Sequence, residues 1–157
     1  MPIAHKYHTT THGNAAFADA DIIAVAESWA EHIELTFADM TYGNNAWFNG
    51  SQNITYTSYI QLLEHVKNKT QNHIPIGLYY DLIDGINTTE IAGDGDWGQT
   101  NQGIIDDNVS GLTNAQLFSL LDNTTISPAI FVNKLNNSGF ITGSNTIQDV
   151  NDLYNSF

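Results

Sequence analysis

Three imidazoles stand close together near the start of the chain, His5, His8 and His12, and carboxylates follow at helical spacing, Glu27, Glu31 and Glu34. Imidazole and carboxylate are the zinc ligands that remain when thiolates are absent, and this sequence has no cysteine for a thiolate site or a disulfide. A hydrolytic zinc takes three protein ligands and leaves one position to water. His5 can supply one nitrogen, Glu27 a carboxylate oxygen and His8 a further nitrogen. Glu31, one turn beyond Glu27, is spaced to accept the second ring N–H of a ligating histidine, which fixes the tautomer and raises ligand basicity. The stretch between His5 and Glu27 has room for one helix to end and a second to run back antiparallel beside it.

Each part also has a plainer reading. A short histidine-rich stretch is often a tail that picks up metal adventitiously, and a row of glutamates on a helix is usually a solvated face. Trp29 and the small residues Ala20 and Ala24 around Glu27 favour a buried helix that another helix can approach closely.

The elements that must place these residues follow from periodicity. Asp19 or Asp21 caps a helix predicted to run to about Met40, with Ile22, Val25, Ala26, Trp29, Ile33 and Phe37 on one apolar stripe and Glu27, Glu31 and Glu34 on the neighbouring face. Gly43-Asn44-Asn45 ends it, and residues 47–57 read as a polar, aromatic loop. A second helix is predicted over Tyr56 to Lys69. His73-Ile74-Pro75-Ile76-Gly77 interrupts the pattern, and Leu78 to Asp84 resumes it as a short helix or a strand. Residues 85–109 are expected to form a long loop. Further helices are predicted from Asn114 to Leu121 with Thr113 as cap, from Pro128 to Leu135 opened by Ser127-Pro128, and from Thr146 to about Tyr154. The expectation is a mainly α fold, a single helical domain over 1–157, with zinc-site helices in 1–42 and a helical region with long loops in 43–157.

Composition narrows the partners. With 157 residues the chain can bury one true core. Its net charge of −13, with four lysines and no arginine, repels phosphate backbones, so nucleic acid is not an expected partner and anionic membrane surfaces are poor ones. No apolar run is long enough for a membrane span, and the first residues lack the pattern of a signal peptide.

The sequence Ile3-Ala4-His5-Lys6-Tyr7-His8, followed by Glu27-Ser28-Trp29-Ala30, resembles the gluzincin branch of zinc metallopeptidases, and within it secreted bacterial proteins in which a His-Glu-x-Ala-His-x-x-His helix precedes an acidic one. Residues 74–84 and 106–118 are similar to the helical region downstream in that group, so the resemblance spans residues 3 to about 135. It implies His5 as the second zinc-binding histidine, Glu27 as the zinc-binding glutamate and Glu31 as the carboxylate behind a ligand, in a domain like the C-terminal helical part of a zincin. Met1 and Pro2 do not match the first histidine and the catalytic glutamate. The resemblance therefore implies an incomplete zinc peptidase-like domain, outside the cell or on its surface, that would hydrolyse peptides if complete but is expected to be inactive over residues 1–157. A second reading is a non-catalytic surface binding module using Trp47, Phe48, Tyr56 and Tyr59.

Other constellations are weaker. Asp94-Gly95-Asp96 starts like a calcium loop, but no glycine stands at its sixth position and no glutamate at its twelfth. His73, Tyr79 and Tyr80 have the chemistry to donate to a substrate carbonyl, although core packing suits the tyrosines better. Asp81 and Asp84 suit a cap or a lysine as readily as catalysis. Ser28 and Ser110 lack the histidine partner of a nucleophile.

Overall fold

A computed structural model describes residues 19–42, 48–49, 52–53, 72–88 and 104–157. The described chain is mainly helical: α1 (Ala20–Tyr42), α2 (Ile76–Asp81), α3 (Asn114–Ser119), α4 (Pro128–Asn137) and α5 (Ile147–Ser156). Two short strands, β1 (Phe48–Asn49) and β2 (Gln52–Asn53), pair antiparallel within the segment read as a loop, Phe48 opposite Asn53. The helix predicted over 56–69 lies outside the described residues, as do Tyr56, Tyr59 and the segment carrying His5 and His8.

The long helix begins just after Asp19, whose carbonyl accepts the Ile23 N–H at 3.1 Å. Asp19 has a left-handed φ of 69°, a conformation its short polar side chain tolerates better than most. Asp21 in the first turn complements the positive end of the helix dipole. The inward face differs from the apolar stripe that the sequence suggests. Val25, Ser28, His32 and Leu35 are buried, spaced three, four and three residues apart, whereas Ala26 and Phe37 face solvent. The helix is rolled toward its polar residues, and the reason lies in the partners they find.

α1 packs on α2, and α4 packs on α5. Pro75 precedes α2 with its φ fixed by the ring at −53°, and Ile74, Ile76, Leu78, Tyr79 and Leu82 are all buried. The chain returns to this helix at 111–112: Gly111 N–H donates to Ile83 O at 3.2 Å and Leu112 N–H to Leu82 O at 3.0 Å. Gly111 makes that turn with φ 80°, a region in which a side chain is strained. Ile105, Val109 and Leu112 thereby join Val25, Tyr79, Leu117, Phe131, Leu135, Val150, Leu153 and Phe157 in one core.

The C-terminal helices start where local chemistry dictates. Thr113 and Gln116 form a capping box on α3, and Thr146 and Asp149 form another on α5. Ser127 caps α4 by accepting from Ile130 N–H, with Pro128 in the first turn. Lys134 draws the α3–α4 connection onto α4, donating to Asp122 Oδ1 at 2.7 Å and Thr125 Oγ1 at 2.7 Å.

Phe131 is fully buried with its ring edge-on to Tyr79. Phe131→Ala is expected to cost about 3–5 kcal/mol by leaving a cavity, and Thr146→Ala about 1 kcal/mol by removing a cap. Equilibrium urea unfolding of the two variants checks both values and their order.

Candidate functional site

The candidate site grows from α1, because its helical period puts Glu27 and Glu31 on one edge while the residues immediately after them, Ser28 and His32, turn inward. Both inward residues are polar, so both need partners. Ser28 Oγ donates to Val25 O at 2.7 Å. Since that carbonyl can only accept, the 3.2 Å contact between Ser28 Oγ and Tyr79 Oη has the phenol as donor. His32 Nε2 lies 2.7 Å from Asn114 Oδ1, so Nε2 carries the hydrogen and donates to the amide oxygen.

Aromatic rings close around these bonds. His32 lies 5.1 Å from Tyr79 and 5.2 Å from Trp29 between ring centroids, and Trp29 meets Tyr79 edge-on at 5.3 Å. Tyr79 has no exposed surface, and burial pushes its phenol far above the ordinary value despite the Ser28 contact. It is a core residue that cannot reach a substrate carbonyl. Ser28, equally buried, is likewise no nucleophile.

The outer edge of α1 has a different character. Glu27 and Glu31 are half-buried and Glu34 is exposed. Burial raises the Glu31 pKa above the usual carboxylate range, and the charges of Glu34 and Glu27 raise it further. His73, just before α2, faces this edge with its Nε2 3.9 Å from Glu31 Oε2, too long for a hydrogen bond. Burial lowers the His73 pKa more than the Ile74 backbone and the charge of Glu27 raise it, so the imidazole is neutral around pH 7. The edge thus presents carboxylates and a neutral imidazole, the forms that ligate a divalent cation.

Glu27 and Glu31 lie together, and His73 joins them from another element, whereas His5 and His8 lie outside the described residues. Among the described residues no group of three or more histidine and carboxylate side chains is arranged to hold a metal ion. The described residues by themselves do not make up a zinc ligand set. Sequence reasoning had singled out His73 but had not joined it to the acidic row, and it missed Asn114 as a partner of α1. The available signal was the spacing of Val25, Ser28, His32 and Leu35, which is helical once polar residues are admitted to the buried face.

The neutral, buried His32 makes stability depend on pH. Burial holds its pKa below the ordinary value, with Asn114 pulling less strongly the other way. Below the ordinary value of about 6.5 the unfolded chain takes up a proton that the folded chain refuses, so this contribution is complete above about pH 6.5 and is lost as pH falls toward the folded pKa. His73 acts in the same direction, and the raised Glu31 and Asp107 oppose it, favouring the fold as acidity increases. Thermal melts from about pH 7.5 down to about pH 5.5 are expected to show a falling midpoint, and His32→Gln is expected to flatten the slope. An unchanged slope in that variant would contradict the assignment. No family model matches the chain, and neither does any curated protein or solved structure.

Proposed function

We propose that this chain is the helical part of a zinc metallopeptidase-like domain, with Glu27 as a metal ligand and Glu31 as the carboxylate behind a ligating histidine. One observation carries the reading: α1 holds these two carboxylates half-buried, one turn apart and mutually repelling, against the neutral imidazole of His73. Like charges at this spacing destabilise a helix by roughly 0.2–0.5 kcal/mol per pair. A cation shared by the edge would offset that cost.

In this reading His5 brings the missing nitrogen, with His8 as a further donor. Bound zinc would polarise a peptide carbonyl and acidify a coordinated water. The chain's own residues hold the carboxylate ligand, orient the histidine ligand through Glu31 and offer the His73 ring beside them. Met1 and Pro2 supply neither an imidazole nor a general base, so residues 1–157 are expected to bind metal without hydrolysing peptides. An extracellular or cell-surface setting belongs to the same proposal.

Zinc titration calorimetry on residues 1–157 tests it. One equivalent is expected to bind, with Glu27→Gln and His5→Ala each weakening affinity at least about tenfold and Glu34→Gln leaving it close to the parent's. A casein-type substrate is expected to remain intact. Absence of zinc binding, or binding indifferent to Glu27, would overturn the proposal and leave the surface binding module as the better account.

A further inference from the structure

We propose that Tyr79 and Asn114 are positioning residues that set the roll of α1 and so aim its acidic edge at His73. Each edge carboxylate is followed directly by a buried polar residue tied to another part of the chain, Glu27 by Ser28 to Tyr79 and Glu31 by His32 to Asn114. The two ties lie one turn apart on one face of the helix, so together they oppose rotation about its axis. The apolar contacts of that face would accept a modest roll, since Trp29 and Ile33 sit only partly buried beside it. A roll that broke these bonds would leave the His32 ring and the Tyr79 hydroxyl without their partners in a dry environment, while Ser28 would keep only its bond to Val25 O within the helix. Orientation of the edge is therefore specified by hydrogen bonds made by the residues directly beside the two carboxylates, about 100° around the helix.

The geometric claim stands apart from the metal reading, and its consequence for zinc affinity rests on that reading. The sequence has no cysteine, so Glu31→Cys with His73→Cys introduces the only two thiols, and a short bismaleimide reports their proximity. Crosslinking is expected to be efficient in that pair, to fall when Tyr79→Phe or Asn114→Leu is added, and to recover with Asn114→Asp, which keeps an acceptor oxygen for His32. Tyr79→Phe retains the ring and its packing, so it keeps the test open if Asn114→Leu does not fold. Val132→Ala on α4 is expected to lower the melting temperature without changing the crosslink. Undiminished crosslinking in both Tyr79→Phe and Asn114→Leu, or an equal loss in Val132→Ala, would overturn the proposal. In the otherwise native chain, Asn114→Leu is expected to weaken zinc about tenfold and Asn114→Asp to restore it. Absence of Glu27-dependent zinc binding would defeat the metal reading alone, because the crosslink still decides the positioning.

Discussion

The hydrogen bond between His32 and Asn114 is the constraint on which the arrangement of this molecule turns. It places a polar ring in the interior of the α1 contact, where an unpartnered imidazole would be costly, and satisfies it with an amide at the start of α3. Because Thr113 fixes the start of α3 by a capping box, Asn114 is not free to follow α1 if that helix turns. Tyr79 completes the device from α2, donating to Ser28 while its ring packs between Trp29, His32 and Phe131. Three helices are thereby locked to one another through specific polar contacts inside an otherwise apolar core. Apolar packing alone tolerates many small displacements, whereas these bonds have one geometry in which every group is satisfied.

How much of this was legible in the sequence depends on how local the governing interaction is. Thr113, Ser127-Pro128 and Thr146 announce their helices because a cap is decided within four residues, and each helix starts where the cap predicts. The short helix after Pro75 has no side-chain cap, and it begins at Ile76 inside the stretch that periodicity reads as a break, before the Leu78–Asp84 segment left open as helix or strand. The roll of α1 was not legible either. Its buried face includes Ser28 and His32, whose partners lie 51 and 82 positions further along the chain, and a stripe drawn from apolar residues alone places Ala26 and Phe37 inside. Phe37 is instead 60% exposed. Polar residues enter a core when distant chemistry satisfies them, and periodicity carries no record of that chemistry.

The same distinction divides the candidate site. That Glu27 and Glu31 share an edge follows from the helical repeat, and the structure places them so. That His73 comes to face them depends on α2 packing against α1, a tertiary fact with no local signature. The acidic row alone reads as a solvated surface. With the half-buried His73 ring opposite, the Glu31 part of that row is partly enclosed instead.

Lys134, the sole lysine among the described residues, is committed to Asp122 and Thr125 at the other end of the core and contributes nothing to the α1 edge. His73 stands 3.9 Å from Glu31, yet its burial keeps it neutral, so it faces that carboxylate with a dipole rather than a charge. Both charges that act on Glu31 raise its pKa, which means that neighbouring charge makes ionisation harder there. The direction of the two carboxylates is fixed instead by the residues directly beside them, Ser28 and His32, whose partners stand on α2 and α3.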